Sequence, residues 1–93
     1  LMKVLLSIKP EFAELIFEGK KKFEFRRTIF KNESVKTIVV YASSPMQKVI
    51  GEFEIEDILN DQLSHLWKKT KKHAGIQEDY FYQYFGNKAN GYA

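Results

Sequence analysis

At 93 residues, 44% of them hydrophobic, the chain is long enough to fold around one core, and we predict a single domain over residues 1–93. It has no cysteine, which excludes thiol catalysis, iron–sulfur clusters and cysteine-ligated zinc, and its formal net charge of +3 is too small to indicate a nucleic-acid partner by itself. It also contains neither an apolar run of about 18 residues nor a signal peptide, so we expect a soluble, cytoplasmic protein that makes no membrane contact.

The amino-terminal third is predicted to run strand, helix, strand. Residues 3–8 (KVLLSI) are almost continuously apolar, which indicates a buried strand. A helix is expected from Pro10, which suits a first helical turn, to Gly19, which suits a left-handed C-cap. Residues 22–26 (KFEFR) alternate apolar and ionic side chains, so they predict a half-buried strand whose ionic face lies away from the core.

Two further strands are predicted next. Residues 37–42 (TIVVYA) are apolar, and residues 48–59 (KVIGEFEIEDIL) alternate apolar and polar side chains. In the second strand, Gly51 indicates a bulge or a close approach of another group to the backbone. Three glutamates of this strand share one face, which we interpret as a surface opposite basic neighbours rather than as an acidic catalytic pair: Glu52, Glu54 and Glu56.

The carboxyl-terminal third is predicted to hold two helices, at residues 61–72 and 77–85, followed by the beginning of a strand at residues 91–93. We therefore expect the domain to lack one final closing strand. Because strands outnumber crossover helices, the pattern favours a small mixed barrel or an open curved sheet over a parallel fold. The first of these helices has an apolar stripe that is expected to face the core: Leu63, Leu66, Trp67 and Thr70.

The stretch GKKKFEFRR, residues 19–27, concentrates five cations around one glutamate. Lys21, Glu24 and Arg26 follow Gly19 in the pattern G-x-K-x-x-E-x-R. Glu24 and Arg26 lie two residues apart on the predicted strand and leave the same face, which Lys21 can reach. A carboxylate held ionised between two cations can accept from a nucleobase edge, while arginine binds phosphate or carbonyl oxygens. The alternative is a surface ion pair worth under about 1 kcal/mol.

This pattern at a helix-to-strand corner resembles the signature motif of the ASCH domain, a relative of the PUA domain. The flanking segments LLSIKPEFAELIFEGKKKFEFRR, VVYASSP and VIGEFEIEDIL are similar to that family in the order of their elements, from about Lys3 to the end. The resemblance implies an α+β fold, a small PUA-like β-barrel with one helix after the first strand and two helices near the carboxyl terminus. It also implies a cleft between barrel and helix, lined by Lys21, Glu24 and Arg26, with Gly19 at the corner.

Two serines in the segment YASSP are further candidates for this cleft. Ser43 and Ser44 fall at the end of a predicted strand that is expected to open near the motif residues. The alternative explanation is turn formation before Pro45.

The resemblance implies that the cleft binds RNA, or a nucleoside or nucleotide, in the setting of transcription or translation regulation. The enzymatic alternative is a small amidohydrolase, because one ASCH subgroup acts on acetylated cytidine through a lysine, a threonine and a glutamate. Lys21 matches that lysine and Glu24 stands in the place of the threonine, so these two are the catalytic candidates. No acid occurs near His73 and Ala74, where the subgroup's glutamate is expected. Ribonuclease activity also occurs among ASCH proteins, and a protein-interaction module is a third possibility.

Outside the motif, one further cationic cluster occurs in a predicted helix: Lys68, Lys69, Lys71 and Lys72. This cluster either extends a positive track for an anionic partner or is merely solvated. His65 and His73 lie about two helical turns apart without a nearby acid, so neither a metal nor a cofactor is predicted. Trp67 is interpreted as a core residue rather than as a platform for stacking bases.

Overall fold

The structure is a computed structural model that describes residues 2–93, and Leu1 lies outside the described residues. The α+β class is confirmed, with one helix after the first strand and two near the carboxyl terminus. The elements in chain order are β1 (Met2–Ile8), α1 (Pro10–Phe17), β2 (Val35–Ala42), β3 (Lys48–Glu54), β4 (Asn60–Gln62), α2 (Leu63–Thr70), a 3-10 turn (Lys71–His73), α3 (Glu78–Phe85) and β5 (Asn90–Tyr92).

The strands form two separate sheets. One has three strands in the order β1-β2-β3, with β1 parallel to β2 and β2 antiparallel to β3, and the other is the antiparallel pair β4-β5. The prediction of a closed β-barrel is not confirmed, because no ladder joins these two sheets within residues 2–93. The parallel pairing of β1 with β2 was not expected from the pattern of elements.

The first strand is less buried than predicted. Leu5 is 56% exposed, and Ile8 is the one fully buried residue of β1. The physical reason is that β1 is an edge strand with a neighbour on one side only. Its continuous apolar run therefore indicates a strand correctly but overstates the burial, since one face of the sheet remains in contact with solvent.

The strand predicted at residues 22–26 is wrong. The segment is extended, but its pairing is limited to an isolated bridge between Arg26 and Tyr92. The amide N–H of Lys22 instead donates to the carbonyl oxygen of His73 at 2.8 Å, which ties the start of the segment to the 3-10 turn. The predicted helix start at residue 61 is also displaced, because Asn60–Gln62 forms β4 and pairs with β5.

The core consists of two clusters. The first packs α1 against the three-stranded sheet, and the second packs α2 and α3 around Phe25. The apolar stripe predicted for α2 is confirmed, since Leu66 and Thr70 are fully buried and Leu63 and Trp67 pack against the second cluster. The segment of residues 21–26 runs between the two clusters, and this course places its polar side chains inside the molecule.

Both features predicted at Gly51, a bulge and a close approach of another group to the backbone, are present. The register between β2 and β3 shifts next to it, which is a bulge in the ladder. The ring of Phe17 lies over its backbone, because a Cβ atom at this position would be 2.8 Å from Phe17 Cζ. The end of α1 can therefore close onto the sheet only where a residue has no side chain.

Among residues 2–93, the helices are too short and too polar to cross a bilayer.

Candidate functional site

A cleft of about 250 Å³ lies between the turn from β1 to α1, the segment of residues 21–26, and α3. The three residues singled out by the sequence pattern all line it: Lys21, Glu24 and Arg26. Aromatic and apolar side chains form the rest of its wall, among them Phe12, Tyr80 and Tyr84. The predicted grouping of the motif residues around one cleft is thus present in the structure.

Lys21 is the most unusual side chain of the cleft, since it is only 2% exposed. Its Nζ donates to the carbonyl oxygen of Ala74 at 2.6 Å. The same atom lies 5.2 Å from the ring centre of Phe12 and 4.9 Å from that of Phe25. Burial lowers the pKa of Lys21 to about 8, although the charge of Glu24 acts in the opposite direction. Lys21 can therefore change its protonation state near neutral pH.

Gly75 explains why the lysine can lie there. Its backbone adopts a φ of +71°, and a Cβ atom on it would lie 2.6 Å from Lys21 Cγ. The aliphatic stem of Lys21 thus packs directly on the Gly75 backbone, while the neighbouring carbonyl of Ala74 receives its ammonium group. This role of Gly75 was not predicted from the sequence.

Glu24 and Arg26 form the second charged contact of the cleft. Arg26 Nη1 donates to Glu24 Oε2 at 3.3 Å and to the carbonyl oxygen of Ser7 at 3.2 Å. The Glu24 side chain is 14% exposed and that of Arg26 is 29% exposed. Burial raises the pKa of Glu24, and the nearby Lys21 and Arg26 only partly oppose this effect. The expectation that the two cations govern this carboxyl group is therefore corrected, because burial has the larger effect.

Several residues of the cleft were not found by sequence reasoning. Lys9 Nζ donates to the Tyr80 hydroxyl at 3.1 Å and lies 5.4 Å from the centre of its ring. Arg27 covers the ring of Tyr84 at 4.3 Å from its centre and donates to the Tyr84 carbonyl oxygen. Tyr80 and Tyr84 are four residues apart on α3, so they share a face of that helix. That spacing is visible in the sequence, but a place for these two tyrosines in the cleft was not predicted from it.

Three of the predicted ligand-binding residues do not line the cleft. Gly19 has a φ of +78°, as expected for the end of a helix, and it lines a larger neighbouring cavity together with Lys21, Glu24 and Arg26. Ser43 donates its amide N–H to the carbonyl oxygen of Ile8, and Ser44 is exposed before a cis peptide bond to Pro45. These contacts are those of a turn, so the structure groups both serines with the strand end and not with Lys21.

The second cationic cluster is separate from the cleft and exposed. Lys69 donates to Asp61 at 2.7 Å, and this bond holds the pKa of the Asp61 carboxyl below its usual value. Trp67 packs against Phe81 with 5.0 Å between ring centres, in agreement with its interpretation as a core residue. In the part of the chain that the structure describes, no group of three or more acids or histidines could hold a metal ion.

Chemically, the cleft combines a cationic floor with a ring-lined wall. Lys21 and Arg26 can donate to an anionic or carbonyl oxygen, and Glu24 can accept from an N–H group of a bound ligand. Because the wall holds aromatic faces, a planar ligand can lie against them. The arrangement suits a small planar molecule that carries both an anionic group and polar edges.

The sequence model of the ASCH domain matches residues 6–93 of the chain. In Zymomonas mobilis, a protein named ASCH domain-containing ribonuclease is 35% identical over 83 residues, which are 89% of this chain and 56% of that protein. In Ureaplasma parvum, a protein named large ribosomal subunit protein uL22 is 29% identical over 91 residues, which are 97% of this chain and 29% of that protein. A protein named ATP synthase subunit alpha from the same organism is 30% identical over 97% of this chain and 11% of its own length.

Solved structures show the same likeness. The crystal structure of ASCH from Zymomonas mobilis has a TM-score of 0.87 and is 33% identical, over 95% of this chain and 62% of that one. A mutant of the protein from that organism gives a TM-score of 0.89 at 32% identity, over 98% of this chain and 66% of that one. The chain thus spans about half to two thirds of the length of the Zymomonas proteins that it resembles.

Proposed function

The chain belongs to the ASCH domain family, and from that premise we propose that its cleft binds a nucleotide of single-stranded RNA through Lys21, Glu24 and Arg26. The observation that carries this proposal is the buried ammonium group of Lys21 beside Glu24 and Arg26 in a ring-lined cleft. A lysine that served only the stability of the fold would be expected in solvent, because burial of a charge is costly. A role in regulating transcription or translation would suit such a domain.

Each polar side chain has a defined part in this mode of binding. Arg26 would present its planar fork to phosphate or carbonyl oxygens, and Lys21 would add a positive charge at the same end. Glu24 would accept from an exocyclic amine or a ring N–H, which selects bases that carry donors. Tyr80 and Phe12 would offer ring faces, and stacking on such faces is worth about 1–3 kcal/mol per base.

The size of the cleft suits one nucleotide unit. Its 250 Å³ corresponds to roughly eight water molecules in the liquid, which is enough for a single base and its immediate polar groups. A base inside a duplex cannot enter such a cleft without leaving its stack. We therefore propose a single-stranded ligand.

The names of two relatives support RNA as the ligand. One is called a ribonuclease and another a ribosomal protein, whereas the name of the third, an ATP synthase subunit, does not concern RNA. Since this chain covers only part of each of these proteins, the support concerns the shared domain.

The test is a binding assay with four fluorescein-labelled RNA homo-octamers, followed by fluorescence anisotropy at 50 and 200 mM salt. We expect saturable binding that favours the bases with exocyclic amines and weakens with salt, because phosphate contacts release counterions. Arg26→Gln should weaken binding to all octamers, and Glu24→Gln should reduce the preference among them. Equal affinity of wild type and both variants for every octamer would contradict the proposal.

Hydrolysis in the same cleft is the second candidate function. It is favoured by one observation: burial brings the pKa of Lys21 down to about 8 and raises that of Glu24. A lysine with a pKa of about 8 can take up and release a proton near neutral pH. The neutral amine of Lys21 could accept a proton from an attacking oxygen, and Glu24 could donate one to a leaving group.

This candidate is tested by incubating the protein with RNA octamers and, separately, with an acetylated cytidine, and by following the products chromatographically over hours. RNA fragments would identify a ribonuclease, and free acetate would identify an amidohydrolase. The sequence has no acid near His73 and Ala74, where the resemblance places the amidohydrolase glutamate, and the carbonyl oxygen of Ala74 accepts from Lys21 Nζ. Products that form equally fast with Lys21→Met would exclude catalysis by this cleft.

A further inference from the structure

A second and larger cavity adjoins the motif segment. Its volume is about 850 Å³, which is within the usual range of about 300–1,000 Å³ for ligand sites. Lys21, Glu24 and Arg26 line both this cavity and the cleft described above, so the segment forms a wall between them. The two spaces therefore share a wall, and the larger one has lining residues of its own, among them residues 53–59, Ile29 and Phe30.

The wall of the larger cavity is mainly apolar. One side is the inner face of the three-stranded sheet, and the opposite side comes from the loop before β2 and the segment before β4. The apolar lining residues on the sheet side include Leu6, Ile38, Phe53 and Ile55, and those on the opposite side include Phe30 and Leu59. Phe30 packs against the first core cluster together with the sheet residues, and Leu59 packs against the second, so residues of both core clusters line the cavity.

The rim of this cavity is acidic. Glu54, Glu56 and Asp57 all line it and are exposed, and none forms an ion pair with another residue in the range 2–93. The preceding glutamate of the same strand differs, since Glu52 is paired with Lys3 at 3.0 Å outside the cavity. The cations that line the same cavity, Lys21, Lys22 and Arg26, all belong to the motif segment, so Glu54, Glu56 and Asp57 form the part of the rim that repels phosphate groups and attracts cations.

The strand beside the rim offers a further binding feature. β3 ends at Glu54 and is an edge strand of its sheet, so one side of its backbone has no partner strand. An extended peptide can pair with such an edge while every second side chain points to one face. A segment that complements both the apolar wall and the acidic rim therefore has apolar side chains on one face and cationic side chains on the other.

From these observations we infer that the larger cavity is a docking site for an extended segment of a partner protein, in which apolar residues alternate with lysine or arginine. The apolar side chains enter the cavity, and the cationic ones meet Glu54, Glu56 and Asp57. These acidic residues do not line the cleft proposed for RNA, and the domain can therefore hold a basic protein partner beside RNA, with the motif segment lining both spaces.

The experiment is an NMR titration of the full chain with an acetylated, amidated octapeptide of alternating valine and lysine. We expect saturable amide shifts in residues 53–59 and at Ile29 and Phe30, which line the cavity. Octapeptides of alternating valine and glutamate, and of alternating serine and lysine, should bind about tenfold more weakly, because each lacks one half of the complementarity. Absence of shifts in the cavity, or equal binding of all three peptides, would overturn the inference.

Two pairs of variants separate docking from general effects. The triple variant Glu54→Gln, Glu56→Gln, Asp57→Asn should reduce affinity for the valine–lysine peptide about tenfold, whereas Glu52→Gln outside the cavity should leave it unchanged. Likewise, Ile58→Ala at the cavity should weaken binding and Val49→Ala should not, although both side chains are at least 40% exposed in the free protein. Equal effects within either pair would count against the site.

Concentration-dependent shifts of the cavity residues without peptide would show that a second copy occupies it and would also overturn the inference.

Discussion

Two cationic regions of this domain have similar sequences and different surroundings. Lys21 and Arg26 sit within GKKKFEFRR and line the cleft, with Lys21 almost wholly buried. The other region, Lys68, Lys69, Lys71 and Lys72, has as dense a charge and is exposed throughout. The comparison teaches that the density of cations does not identify a site, whereas the burial of one of them among rings and carbonyl groups does.

The difference has an energetic basis. An exposed lysine keeps its hydration, so its interaction with a distant anion is screened by solvent and salt. The ammonium of Lys21 has already lost most of its water, and its single protein acceptor is the carbonyl of Ala74. A phosphate or carbonyl oxygen that enters the cleft would therefore contact a charge that is already fixed in place. The entropy cost of ordering the Lys21 side chain arises during folding and not during binding.

Removal of the buried charge should have the largest effect. Lys21→Met is expected to weaken RNA binding about 100-fold, which corresponds to loss of a desolvated charge contact. The same change should leave the free energy of unfolding unchanged or raise it, because an apolar side chain of similar shape replaces a buried charge. Lys22→Met, at the exposed neighbour, is the control and should change neither quantity by much. Binding by anisotropy and unfolding by urea titration measure the two effects.

Alkaline pH should separate binding from stability. Since the pKa of Lys21 is about 8 in the folded protein and 10.5 ordinarily, the unfolded chain holds more protons between these values. The free energy of unfolding should therefore rise with pH across this window, by up to roughly 3 kcal/mol relative to Lys21→Met. RNA affinity should fall about tenfold when the pH is raised from 8 to between 9 and 10, because the amine loses its charge. If both quantities moved in the same direction, Lys21 would not be the group that titrates.

Displacement of Lys21 without changing it is the next test. Gly75→Ala places a methyl group against the lysine stem, whereas Gly86 has a φ of +58° and open space around it. Both substitutions should cost about 1–2 kcal/mol of stability from the backbone conformation. Gly75→Ala alone should also weaken RNA binding, by about five- to tenfold, because it moves the ammonium group. Equal RNA affinities for the Gly75→Ala and Gly86→Ala proteins would show that the position of Lys21 does not matter.

The exposed lysines should give the smallest effect. Neutralising Lys68, Lys71 and Lys72 to glutamine, with Lys69 kept because it bonds Asp61, should reduce RNA affinity at 200 mM salt by about twofold or less. At 50 mM salt the loss should be larger, since screening is weaker. A loss at high salt as large as that of Lys21→Met would reverse the comparison and make the lysine helix the principal site.

The sequence could predict the motif triad because its spacing is local. Lys21, Glu24 and Arg26 are within six residues, and any extended path between two packed clusters brings them to one region. It could not show which of three consecutive lysines is buried, because that depends on Gly75, which lies 54 positions further along the chain and makes room for the stem of Lys21. The contact of Lys9 with Tyr80 likewise joins residues 71 positions apart, and only the packing of α3 beside α1 creates it.

The elements were predicted well where periodicity was strong. The helices around Phe12 and Phe81 follow their apolar spacing, and their positions are confirmed. The alternation of residues 22–26 resembles a strand, but hydrogen bonds to the 3-10 turn and to Tyr92 leave the segment without a ladder. The alternation therefore indicated an extended segment with Phe25 in the core, but it established neither the pairing of the backbone nor the burial of Glu24.

The most direct test of the central claim is an NMR titration of wild-type protein and Lys21→Met with a single-stranded RNA octamer at 200 mM salt. In the wild type we predict saturable shifts at Lys21, Glu24 and Arg26 and at the amides of α3 around Tyr80. In the variant we predict that these shifts are lost. Shifts confined to residues 68–72, or identical shifts in both proteins, would contradict it and would leave the buried lysine without a role in binding.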